Sequence, residues 1–69
     1  MAVWKVTKQD GNVKLVYQCD GAVKECGSGP EVLEADLLAW VADTATPWDI
    51  IAIDGRGWFV RLGAAFVSA

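Results

Sequence analysis

The chain has 69 residues, of which 54% are hydrophobic, and a formal net charge of −3. A chain of this length forms one domain with a thin core, because only ~60% of the unfolded surface is buried at this size. It contains two cysteines and no histidine. This set excludes a structural zinc site, which takes four Cys or His ligands, and it lacks the commonest general base. We therefore expect no metal, no cofactor and no enzyme activity.

Charge and hydropathy narrow the partners and the compartment. Six acids and no base lie between residues 27 and 54, and the first 26 residues are only mildly basic. A nucleic-acid-binding protein carries a basic patch, so direct nucleic-acid binding is disfavoured. The longest apolar run, residues 37–42, is far shorter than the ~20 residues of a membrane span. No signal-peptide pattern opens the sequence, and we expect a cytoplasmic protein.

Two Asp-Gly pairs, at residues 10–11 and 20–21, punctuate the first third of the chain. Asp-Gly favours the type I′ hairpin turn, in which both central residues have positive φ. Alternating apolar residues on either side predict strands over residues 3–9, 13–19 and 22–26. This part of the sequence therefore predicts a three-stranded meander.

The second turn fixes the expected relation between the two cysteines. It pairs Cys19 with Ala22 and Leu15 with Cys26, which places the thiols ~13 Å apart along the strand. A disulfide needs Cα atoms within about 7 Å. We expect reduced, partly buried thiols. A disulfide closed by a longer loop and a reactive thiol are the alternatives.

A helix is predicted from residue 30 to 43. Ser28 stands in N-cap position, Pro30 suits the first helical turn, and Glu31 completes a capping box. Gly27-Ser28-Gly29 resembles an anion-binding turn, but no lysine follows it and the neighbouring glutamates repel anions, so a plain cap is favoured. On a helical projection one stripe is predicted to face the core: Leu33, Leu37, Trp40 and Val41. A second apolar strip is predicted to face outward: Ala35, Leu38 and Ala42.

The last third of the chain predicts a second hairpin. Residues 48–53 favour a strand because of their isoleucines, although Thr46-Pro47-Trp48-Asp49 would also cap a short helix. Residues 54–57 form the loop and residues 58–62 the returning strand. Residues 64–69 are predicted to be an extension or a loose tail. The expected fold is α+β, an antiparallel sheet of order β-β-β-α-β-β with one helix on one face.

The functional hypothesis depends on surplus apolar surface and uncompensated acids. The last hairpin carries more large apolar groups than one helix can cover, and exposed apolar patches mark interfaces. We expect a small non-catalytic protein that docks on and inhibits a larger protein with a basic surface, such as a phage- or mobile-element-encoded inhibitor. The alternative is a structural subunit that forms a homodimer. The residues expected at the interface are Trp48, Arg56, Trp58, Phe59, Leu38, Glu31, Glu34, Asp36 and Asp43.

Overall fold

The computed structural model describes residues 2–69, which form one six-stranded sheet and one helical segment. The elements are β1 (Val3–Gln9), β2 (Asn12–Cys19), β3 (Ala22–Pro30), a 3₁₀ turn (Glu31–Leu33), α1 (Glu34–Thr44), β4 (Ile50–Ile53), β5 (Gly57–Leu62) and β6 (Ala65–Ser68). The α+β class is confirmed. The strands run in the order β3-β2-β1-β4-β5-β6 across the sheet. The sheet is mixed rather than wholly antiparallel, because β1 and β4 lie side by side in parallel.

The first three strands form the predicted meander. Both Asp-Gly turns have positive φ at each central residue, as the type I′ turn requires. Cys19 pairs with Ala22 as expected. A β-bulge beside Leu15 shifts the register, so that Leu15 pairs with Gly27 instead of Cys26. No disulfide joins the two cysteines.

The predicted helix cap at Ser28 is wrong. β3 continues through Ser28 to Pro30, and the helical segment begins without a side-chain cap. The extension is stabilised by pairing with β2 and by a hydrogen bond from the Glu31 N–H to the Gly11 carbonyl at 2.8 Å. It also brings Gly29 so close to the helical segment that a Cβ there would lie 2.9 Å from Leu33. Tertiary contact with β2 therefore overrides the local capping signal.

One face of the sheet packs against α1 and forms the core. Strand residues at alternate positions meet Val41 and Ala45 from the end of the helix. The buried stripe of α1 is rotated relative to the prediction. Leu37, Leu38 and Val41 face the core, whereas Trp40 stays 47% exposed. No helix in the described part of the chain is long and apolar enough to span a membrane. The buried apolar strand residues are Trp4, Val6, Val13, Leu15, Ile51 and Ile53.

The second half contains one strand more than predicted. The strand predicted over residues 48–53 begins at Ile50, and the loop after Ile53 leads into β5. Gly63, at φ 58°, reverses the chain so that Ala65–Ser68 pairs with β5 as a sixth strand. The interpretation of residues 64–69 as a loose tail is therefore wrong. A glycine alone, without Asn or Asp beside it, is a weak hairpin signal.

The strands β4, β5 and β6 form a second meander. Arg61 of β5 connects it to the end of the helix. Its Nη1 donates to the carbonyl oxygens of Ala42 and Ala45, and its Nε donates to the Gly63 carbonyl at 2.9 Å. The last turn of α1 contains no basic residue of its own. Because the carbonyls at a helix C-terminus carry partial negative charge, the guanidinium supplies the missing positive charge from the neighbouring strand.

A buried carboxylate fixes the parallel pairing of β1 and β4. Asp49 is 2% exposed and directly precedes β4. Its Oδ1 accepts hydrogen bonds from the Ala2 N–H at 2.8 Å and the Thr46 hydroxyl at 3.0 Å. Its Oδ2 accepts from the Trp4 indole and the Thr46 N–H, both at 3.1 Å. One side chain thus binds the start of β1, the Trp4 ring and the loop after α1.

The ionised form of Asp49 is stabilised in this environment. Burial raises its pKa, but the hydrogen bonds from Trp4, Thr46 and Ala2 outweigh burial and leave the pKa below its ordinary value. A buried carboxylate that accepts four hydrogen bonds is satisfied, and it carries no proton to give to a substrate near neutral pH. The group is structural.

We expect Asp49→Asn to lower the free energy of unfolding by about 2–3 kcal/mol, because one amide nitrogen would face donors that now have an acceptor. Urea denaturation followed by fluorescence measures the change. Asp43→Asn, at an exposed position on α1, is the matched control. It should not destabilise the protein and should raise stability by up to about 1 kcal/mol, because it removes a negative charge from the helix C-terminus. Equal effects of the two substitutions would contradict a structural role for Asp49.

Stability should also fall in acid. Asp49 and Glu34 both have lowered pKa values in the folded chain. Their contribution is complete above the unfolded pKa values, roughly 4, and is lost as the pH falls through the lower folded values. Urea midpoints measured across this range should decline below about pH 4, and the decline should be shallower in Asp49→Asn. An identical acid profile in the variant would contradict this assignment.

Candidate interaction surfaces

The fold divides the residues predicted at the interface between the two sides of the sheet. Trp58 pairs with Ala52 on the face opposite α1. Phe59 pairs with Ile51 and packs against the core on the helix side. Leu38 also faces the core rather than the outside. The expected acids, by contrast, all lie on the helical segment.

A shallow cleft separates α1 from β5 and β6. Its volume is about 160 Å³, and Leu38, Phe59 and Phe66 are among its lining residues. Arg56 lies at the same cleft, with its guanidinium 6.0 Å from the centre of the Phe59 ring. Arg56 Nη1 is also 3.4 Å from Glu34 Oε2. The guanidinium thus already has an acidic partner within the chain.

Basic side chains form salt bridges with the two glutamates at the start of the helical segment, Glu31 and Glu34. Lys8 lies 2.7 Å from Glu34 and 3.8 Å from Glu31. The hydrogen bond from Lys8, with its charge and that of Arg56, holds the pKa of Glu34 below its usual value although burial opposes this. Within residues 2–69, Asp36 and Asp43 form no salt bridge. The uncompensated charge of α1 therefore belongs to these two aspartates.

Trp40 lies between these aspartates on the outer side of α1. Asp36 and Asp43 are four and three residues away, the spacing that makes neighbours on one helical face. The Trp40 ring contacts Trp4 edge to face, with ring centres 5.8 Å apart. Its other side is open to solvent. The sequence interpretation missed this residue because it placed Trp40 in the core.

Trp48 follows the helix in a strained turn. Its φ is 73°, a conformation that costs a residue with a Cβ about 1–2 kcal/mol. The Asp49 N–H donates to the Thr46 carbonyl at 3.1 Å, and the Trp48 N–H donates to the Arg61 carbonyl at 2.9 Å. Residues 46–49 thus form a four-residue turn with positive φ at its third residue, a position that glycine normally occupies. The Trp48 side chain remains 62% exposed, so little packing offsets the strain.

Asp43 is also unfavourably placed. It lies one residue before the end of α1, where the helix dipole disfavours negative charge by roughly 0.3–1 kcal/mol. Asp43 is exposed. Asp43 and Trp48 lie before and after the C-terminal end of α1, Trp40 lies one turn earlier, and Asp36 lies in the first turn. We refer to these four exposed residues as the helix-end surface.

Within residues 2–69, Tyr17 is the third side chain whose pKa is shifted, after Asp49 and Glu34. The pKa of Tyr17 is raised, first by its hydrogen bond with the Cys19 side chain and then by loss of solvation. A phenol with a raised pKa is a poor base or nucleophile near neutral pH. In residues 2–69 no group of three or more Cys, Asp or Glu side chains could hold a metal ion.

The face of the sheet opposite α1 has no covering element in the described chain. We call it the open face. One row of paired residues crosses all six strands, and only one of its six members is polar. The row consists of Val23, Gln18, Val3, Ile50, Val60 and Val67. The adjacent row contains two charged residues and consists of Glu25, Val16, Lys5, Ala52 and Trp58.

Comparison with known proteins gives no relative for this chain. No family model, curated protein or solved structure matches it.

The strain at Trp48 can be measured. Trp48→Gly should leave the free energy of unfolding unchanged or raise it by up to about 1 kcal/mol, because relief of the positive φ offsets the extra entropy of glycine. Trp58→Gly is the control within a regular strand and should destabilise by at least about 1 kcal/mol. Chemical denaturation compares the two. A clear loss of stability in Trp48→Gly would show that Trp48 is retained for packing.

Proposed function

We propose that this protein is a non-catalytic binding protein that docks on a larger protein through the helix-end surface and modulates it. The observation that carries the proposal is the pair Trp48 and Asp43. Trp48 has a backbone conformation suited to glycine, and Asp43 opposes the dipole of its own helix. Residues kept in such conformations often serve function rather than stability.

The exposure of both residues supports this interpretation. In a protein core, packing or a hydrogen bond offsets the free-energy cost of a strained backbone or an unfavourable charge. The Trp48 side chain is largely in solvent, and Asp43 forms no salt bridge in the described chain. A partner that binds both side chains would supply the missing compensation.

The chemistry of the surface defines the partner. Two exposed indoles and two aspartates without a salt bridge are suited to a partner with an apolar pocket and lysine or arginine side chains around it. Tryptophan is enriched among residues that dominate binding energy, and opposite charges at the rim raise the association rate and specificity. A nucleic acid, which presents phosphates, would be repelled. The partner we propose is therefore a protein with a basic rim around an apolar site.

The cytoplasm is the compartment that we propose. No disulfide joins Cys19 and Cys26, because Cys19 pairs with Ala22 across the second turn, and thiols remain reduced in the cytoplasm. Catalysis is not part of the proposal, because the sequence contains no histidine to act as the usual general base.

Partner capture tests the helix-end surface with variants that do not lose stability. Immobilised wild-type protein, Trp48→Gly and Asp43→Lys are incubated with host lysate, and retained proteins are identified by mass spectrometry. We expect the wild type to retain a basic protein that both variants lose. Asp43→Lys should raise stability by roughly 0.3–1 kcal/mol, because it reverses an unfavourable charge at the helix end.

Glu25→Lys provides the matched control for charge reversal. Glu25 is exposed on β3, where it pairs with Lys14 at 3.5 Å, away from the helix-end surface. This variant should retain the partner. Retention of the same proteins by all four immobilised chains would show that the helix-end surface does not bind them.

A further inference from the structure

The open face is comparable in size with a small protein interface. Six strands spaced by ~4.8 Å give a sheet ~24 Å wide. The strands have four to nine residues. At ~3.3 Å per residue the face therefore covers roughly 600 Å², somewhat less than the roughly 800 Å² that each partner contributes to a standard interface.

The distribution of residues on this face is self-complementary. Trp58, 55% exposed, projects from β5 directly beside Ala52 of β4. Lys5 of β1 is the neighbour of Ala52 on the other side. A large aromatic ring and a cation therefore flank a small central residue in one row. Such a patch can receive its own copy, because an isologous interface pairs residue i with j and j with i.

We propose that a second copy of this chain covers the open face, with the two sheets packed face to face about a twofold axis along β4. This inference concerns a different side of the molecule from the helix-end surface and does not depend on it. Rotation about this axis places β1 of each copy over β5 of the other. Lys5 then lies over the Trp58 ring of the second copy, where a cation–π contact can form. Val3 meets Val60 of the second copy, and Ala52 meets Ala52 at the axis.

Charge and strand overlap favour this axis among those that run along one of the central strands. An axis along β1 would bring Lys5 against Lys5 of the second copy in a desolvated interface, which is unfavourable. An axis along β5 would pair Trp58 with Trp58 and leave β1 and β2 without a facing strand. The axis along β4 overlaps five strands and gives each lysine an aromatic partner. The result is a β-sandwich with both helices on the outside.

The oligomeric state in solution tests the proposal. Sedimentation equilibrium over the micromolar to millimolar range should show a dimer of the wild-type chain. Ala52→Arg, which opposes two charges at the axis, should yield a monomer. Lys5→Gln should raise the dimer dissociation constant about threefold to thirtyfold through loss of two cation–π contacts.

Val32→Arg is the control, because Val32 is 82% exposed and precedes α1 on the other side of the sheet. It should dimerise like the wild type. Circular dichroism establishes that each variant is folded. A wild-type chain that stays monomeric throughout would overturn the proposal, as would a dimer that persists in folded Ala52→Arg. Either result would leave partner capture by the helix-end surface unaffected, so the two proposals fail separately.

Discussion

The carboxylate of Asp49 holds together parts of the chain that local sequence would leave apart. Each half of the molecule is a three-stranded meander whose strands are joined by short turns. The two meanders pair along β1 and β4, whose parallel ladder spans four residue pairs. Asp49 accepts hydrogen bonds from the first strand, from Trp4 and from the loop that follows the helix. The Ile50 N–H then donates to the Ala2 carbonyl at 2.9 Å, which starts the parallel register.

This arrangement determines which surfaces remain exposed. Once β1 and β4 are adjacent, the connection through β3 and α1 must cross one face of the sheet, and the helix covers that face. Fourteen helical residues cover the central strands, but only the edge of β5 and β6. The opposite face receives no cover in the described chain. The open face is thus a consequence of the topology, and the apolar residues on it are not needed for the core.

Local signals predicted much of the fold. The two Asp-Gly turns fix the first meander, because few other residue pairs tolerate two positive φ values. The apolar periodicity correctly predicted a helix in this part of the chain. The prediction placed Trp40 on the buried face and Leu38 outside it, and the structure shows the reverse. A helical projection gives only relative angles, and the position of the sheet below decides which side is buried. The capping signal at Ser28 failed for the same reason, since pairing with β2 extended β3 beyond it.

The long-range features that hold the two halves of the fold together were not accessible to sequence patterns. Nothing local distinguishes Asp49 from the five other acids between residues 27 and 54. Its role follows from donors 45 and 47 positions away in the chain. The parallel pair is likewise a long-range feature, and it makes the sheet mixed where an antiparallel sheet was predicted. Trp58 and Phe59 are consecutive in sequence and occupy opposite faces. Because successive side chains of a strand point to opposite faces, one flat interface cannot contain both of these side chains.

The two proposed surfaces would work together. A sandwich formed through the open faces leaves both helix-end surfaces exposed on opposite sides. Binding to a partner that presents two sites would then gain from effective concentration, without any new contact at either site. The residues that reduce local stability, Trp48 and Asp43, are exposed outside the strands, whereas most residues of the open face conform to strand preferences. This difference supports separate roles. The regular face is suited to permanent self-association, and the strained surface is suited to a partner that comes and goes.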